Sequence, residues 1–214
     1  MKKITIIFAV LLTAQQAVAQ QKKTELTNRV NLVFGLNQIM VDGFNIEGNV
    51  FWKRLAFDYS HGVSLDIDNS LLSGDAKEQG LAAHLPYSTG FGVGYRFTEW
   101  FNVRVEPKWH KYEIYYDGQP QTETSKIGGY KTYSLGLGAY VNWMPFEKQD
   151  NLLKGITIAP SLRYWPKLSS TLDGDSFSYQ NSVTGQMEEH EALEVGLGGT
   201  PWIFNVSIGY SFKF

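Results

Sequence analysis

From residue 29 onward, apolar side chains recur at every second position, a period that suits a β-strand with one apolar face and no helix. Val30, Leu32, Phe34 and Leu36 alternate with Asn31, Gly35 and Asn37, and Phe44, Ile46 and Val50 with Asn45, Glu47 and Asn49. A third run sets Leu55, Phe57, Tyr59, Val63, Leu65 and Ile67 against Asp58, Ser60, Ser64 and Asp66. The last sets Trp202, Phe204, Val206, Ile208, Tyr210 and Phe212 against Asn205, Ser207, Gly209 and Ser211. Eight such runs predict strands at roughly 28–37, 43–51, 54–67, 89–98, 101–113, 130–144, 155–165 and 201–214. The expected fold class is all-β, an antiparallel up-and-down eight-stranded transmembrane β-barrel. Connection lengths agree. Short turns near 52–53, 98–100 and 145–154 alternate with longer segments at 68–87, 114–129 and 166–200, the arrangement of barrels with short periplasmic turns and long external loops.

Export is expected from the first nineteen residues. Lys2 and Lys3 precede an apolar run from Ile4 to Ala14, and Ala17-Val18-Ala19 presents small residues for cleavage after Ala19. The domain reading is therefore a signal peptide at 1–19 and one barrel domain at 20–214. The absence of Cys excludes disulfides, thiolate chemistry and lipid attachment through Cys. With 19 basic against 21 acidic residues there is no basic field, so nucleic acid is not an expected partner.

Three features turn the apolar face toward lipid. The polar face carries bulky ions beside glycines, which suits a narrow interior. Trp52, Trp100, Trp109, Trp143, Trp202 and Tyr210 fall near strand ends, where membrane interfaces gather aromatic residues. The chain also closes on Ser207-x-Gly209-x-x-Phe212-x-Phe214. That ending resembles the C-terminal assembly signal of bacterial outer-membrane proteins. With the export signal and eight strands, the chain resembles the small OmpA/OmpX/OmpW-type outer-membrane barrels over nearly its whole length. The resemblance implies a Gram-negative outer membrane, with its lipids and lipopolysaccharide as surroundings and the barrel assembly machinery as a partner during insertion. The expected role is non-enzymatic, envelope-structural or surface recognition through loops 68–87, 114–129 and 166–200. Two alternatives stand beside it: a lipid A deacylase-like barrel enzyme, and a soluble periplasmic barrel carrying an apolar ligand.

Parity places Glu47, Asp58, Asp66 and Glu106 inside, facing Arg96, Arg104, Lys108 and Arg163. A turn at Trp52-Lys53 sets Glu47 opposite Asp58, and two facing carboxylates need a bridging Arg from another strand, Arg96 or Arg104. An interior just wide enough for its own side chains argues against a general diffusion pore. His61 falls on the lipid face. Lipid A deacylases of the PagL type place a Ser two residues after the His, but here position 63 is Val and Ser64 has the opposite parity. Glu188, Glu189, His190 and Glu191, with Asp173 and Asp175, offer oxygen ligands for a divalent ion, yet their spacing matches no defined metal loop. Tyr112, Tyr115, Tyr116 and Asp117 are a candidate external contact surface. No phosphate loop or nucleophile elbow occurs, and no catalytic residue, cofactor or metal is assigned.

Overall fold

The computed structural model describes residues 26–72, 75–182, 184–196 and 198–214; the export signal expected over 1–19 lies outside them. The described strands are β1 (Arg29–Gly35), β2 (Phe44–Trp52), β3 (Leu55–Ile67), β4 (Leu81–Arg96), β5 (Phe101–Tyr116), β6 (Gly128–Val141), β7 (Ile156–Tyr164), β8 (Lys167–Ser170), β9 (Ser176–Gln180), β10 (Met187–Glu191) and β11 (Trp202–Lys213). Strands β1 to β7 pair antiparallel in chain order, and β11 joins β7 to β1, which closes an eight-stranded barrel. The end carrying the short connections at 53–54, 97–100 and 142–155 is the base, and the other end is the rim.

In most of the barrel the alternation sets the two faces as expected. Arg29, Asn31, Glu47, Asn49, Asp58, Asn102, Arg104, Glu106, Ser161 and Arg163 are buried inside, while Leu32, Val50, Phe57, Val93, Val105, Leu137, Leu162 and Phe204 stand exposed outside. One hairpin departs from expectation. Trp52 keeps the outward parity of Val50 and pairs with Leu55, so the turn holds Lys53 and Arg54, with Lys53 in the left-handed region at φ 51°. Glu47 therefore faces Ser60, and Asp58 faces Asn49; the expected direct opposition of Glu47 and Asp58 does not occur.

A second departure changes what the alternation means. β4 begins at Leu81, not near 89, and extends the sheet well above the expected rim. Between Val63–Tyr87 and Leu65–Leu85 the β3–β4 pairing passes over Ser64, which has φ 53°, and over Pro86. The β4–β5 register also shifts by one residue between His84 and Tyr87, as a β-bulge does. Above this point the faces exchange. Leu81, Ala83 and Leu85 turn inward and cluster with Tyr112, Ile114 and Tyr130, with Leu65 and Ile67 packed against them. Asp66 turns to the opposite face, where it pairs with His84. The expectation that Leu65 and Ile67 face outward and Asp66 inward is thus corrected, because the extra residue reverses parity in both strands.

The long segment 165–201 completes this upper body. β8 pairs with β6 above the point where β7 ends, while β9 and β10 form a separate hairpin. Tyr179, Ala192 and Leu193 from this segment complete the apolar cluster, and Phe177 packs against it. The result is a head with a core of its own, carried on the upper ends of β3 to β6.

Candidate functional site

The barrel interior is organised around guanidinium groups supplied by neighbouring inward positions. Arg104 on β5 donates from Nη1 to Glu47 Oε1 at 2.8 Å and lies 3.3 Å from Asp58 Oδ2. Its Nε donates to Asn102 Oδ1 at 2.7 Å. Arg163 on β7 reaches the other Glu47 oxygen at 3.4 Å. One arginine thus serves both acids although they are not direct neighbours, through Nη1, while its Nε is fixed by Asn102, a combination a lysine ammonium does not reproduce. Arg96 takes a different place. It donates to the Lys53 and Thr27 carbonyls and to Glu99 at 2.9 Å, and so ties down the base with Arg29.

Aromatic rings fill the space between these ions. Tyr140 lies 3.9 Å beneath the Arg104 guanidinium, and Phe51 packs beside Arg29, Arg96 and Arg104. Glu106 accepts from the Tyr140 hydroxyl and from Trp165 Nε1 on one oxygen. These rings need room, which glycine supplies. A Cβ at Gly136 would run into the Trp165 indole, and one at Gly92 into the Asp58 carboxylate. Sequence reading did not single out Phe51, Tyr140 or Trp165 as interior residues. The available signal was their parity, since Tyr140 matches Asn142, Trp165 matches Arg163 and Phe51 matches Asn49.

Higher in the barrel, Lys108 donates to Ser60 Oγ and lies 4.3 Å from the Trp165 ring centroid. His110 is fully buried between two hydroxyls, with Nδ1 2.8 Å from Ser88 Oγ and Nε2 2.8 Å from Ser134 Oγ. A cavity of about 280 Å³ opens above this level, bordered by Ser60, Ser88, Lys108, Arg163 and Trp165 below and mostly apolar side chains above.

The other candidate residues resolve differently. Tyr112 lies inside the barrel, stacked on Tyr130 at 5.1 Å, and Tyr115 is buried, so neither is a free loop contact; Tyr116 donates to the Gln180 carbonyl, while Asp117 is exposed. Glu188 accepts from Tyr179, Asn181 and Thr184, and Glu189 from Ser176, all within the β9–β10 region. His190 turns inward, 2.7 Å from Gln79 Oε1, and Asp175 pairs with Lys167. Among the described residues, no three His, Cys, Asp or Glu side chains converge to hold a metal ion. His61 sits on the outer parity between Ile46 and Thr89. Trp52, Trp100, Trp109, Trp143 and Trp202 are exposed on the outer wall, with Tyr210 half-buried beside Phe212. At the closing strand Ser207 and Ser211 face inward, and Gly209 lets β11 approach the Leu32 carbonyl closely. Phe212 and Phe214 are exposed.

No family model matches the sequence, and no curated protein does. Among solved structures, the chain is similar to Ail, the attachment invasion locus protein of Yersinia pestis, at 12% identity and a TM-score of 0.42, over 87% of this chain and 100% of that one. The complex of Ail with the heparin analogue sucrose octasulfate gives 12% identity and a TM-score of 0.41 over the same shares. A major outer membrane protein from Thermus thermophilus is similar at 13% identity and a TM-score of 0.44, over 88% of this chain and 99% of that one.

Proposed function

We propose that the chain is an integral outer-membrane barrel with a non-enzymatic role, presenting a folded head at the cell surface for recognition. The observation that carries this reading is the exchange of faces at Ser64 and Pro86. Below it the wall is apolar outside and ionic inside, which suits a hydrocarbon surround; above it the wall is polar outside and apolar inside, which suits water. The aromatic spacing supports the same frame. Trp100 and Trp109 lie nine residues apart near the two limits of the apolar wall. At about 3.3 Å per residue and a tilt of about 40°, that separation rises roughly 23 Å, close to the height of an outer-membrane apolar band.

Two observations favour a non-enzymatic interior. The Ser88–His110 pair has no carboxylate behind it, since the second ring nitrogen meets Ser134. His61 has Val63 where a deacylase of the kind considered above would place its serine. Recognition is assigned to the head, whose exposed surface includes Leu168, Met187 and the connection at 117–127.

The test is electrophoretic mobility in SDS with and without boiling, together with urea washing of isolated membranes. A faster unboiled band and retention through the wash are expected. One mobility with release into the soluble fraction overturns the proposal in favour of a soluble barrel.

A further inference from the structure

Inside the barrel, among the described residues, five cations (Arg29, Arg96, Arg104, Lys108 and Arg163) face four acids (Glu47, Asp58, Glu99 and Glu106), and Lys108 and Glu106, two inward neighbours on β5, make no ion pair within 4.0 Å. Arg104 and Arg163 reach Glu47, Arg104 also reaches Asp58, and Arg29 and Arg96 share Glu99. Among the described residues no carboxylate oxygen lies within 4.0 Å of Lys108 Nζ, although Lys108 is only 3% exposed. A buried ammonium held by one hydroxyl and one ring face, with its nearest carboxylates beyond contact distance, has its desolvation only partly offset, and cations exceed acids here by one.

That ammonium borders the cavity at the barrel mouth, with Arg163 beside it. The walls above are Leu65, Ile67, Leu85 and Ile203. The volume, about 280 Å³, is at the small end for a ligand pocket, and mouths of β-barrels are favoured places for one. On one side the barrel wall is low. β1 and β11 end at Gly35 and Trp202, and the segment Asn37–Val41 lines the cavity there with Met40, itself 83% exposed. A cationic floor under apolar walls, opening beside an exposed apolar rim, is complementary to an amphiphile with one negative charge.

We propose that this cavity binds a single-chain alkyl carboxylate of the fatty-acid class, with its head on Lys108 Nζ and its chain against the apolar walls. The inference does not depend on where the barrel resides, and its failure leaves the SDS mobility test untouched. Laurate and dodecanol are titrated calorimetrically into the protein in phosphatidylcholine nanodiscs, with empty discs as the blank. Saturable uptake of one laurate per barrel is expected. Lys108→Met should weaken laurate binding at least tenfold and dodecanol binding less than twofold, and Ile203→Trp should abolish both by filling the mouth. Uptake no greater than in empty discs overturns the proposal, as does unchanged laurate binding by Lys108→Met. If Lys108→Met does not fold, as judged by its unboiled mobility, Ile203→Trp decides: saturable laurate binding by that variant overturns the proposal.

Discussion

Arg104 lies between two acids and two aromatic rings, with Nη1 serving both carboxylates and Nε held by Asn102. Removing it leaves Glu47 and Asp58 buried with incomplete charge compensation, which costs about 3–5 kcal/mol for a buried pair. Arg104→Met should therefore lower the urea midpoint of the vesicle-inserted barrel by that equivalent, and Arg104→Lys should recover only part of it, because an ammonium does not reproduce the fork. His190 makes the second residue-scale prediction. Burial, and then the nearby Lys167 charge, holds its imidazole down at about 4. The folded head keeps it neutral, while the unfolded chain takes up a proton below about 6.5. Head stability should be unaffected above that value and fall by up to about 3 kcal/mol as pH drops from 6.5 to 4, read by hydrogen exchange across β9 and β10. His190→Gln should flatten that dependence. Below Ser64, individual inward positions were legible from parity alone, whereas partners were not. Arg96 and Arg104 have the same parity and similar surroundings in sequence, and only the height of each along the barrel separates the base anchor from the bridge.

The Ser64–Pro86 exchange belongs to whole strands. Val63, Leu65 and Ile67 continue the odd-numbered apolar pattern of Leu55, Phe57 and Tyr59, interrupted only by His61, so the sequence shows no break at Ser64 where the structure turns over. What changes there is the solvent, and an apolar residue marks the outer face in lipid but the inner face in water. Pro86 was the available signal, since proline within a strand pattern points to a bulge or an edge. Reading it as loop hid the first eight residues of β4. Ser64→Val, a β-branched residue that strongly disfavours positive φ, should impose simple alternation on β3 and send Leu65 and Ile67 outward. The expected result is a head cut rapidly by proteinase K around residues 165–201 while the unboiled SDS mobility persists. Equal resistance in the variant and the parent would show that the exchange does not organise the head.

At the scale of the molecule, the barrel has a tall side and a low side. Strands β3 to β6 rise into the head, while β1, β2, β7 and β11 stop near the level of the exchange. An epitope inserted at residue 118 should be labelled on intact cells, and one inserted at residue 149, in the connection at the base, only after permeabilisation. Labelling in the opposite pattern would invert the assigned orientation. Barrel closure and strand order were legible because eight amphipathic runs with short turns leave few other arrangements. The head was not, since β8 to β10 are short and lie within a segment that reads as polar loop. Its core residues ride on the same strands that form the wall, and this ties two events together. Leu81, Leu85, Tyr112 and Tyr130 are brought face to face only when β4, β5 and β6 have paired along their lower halves. With the orientation proposed above, a barrel stalled half-assembled is therefore expected to have no folded head to display.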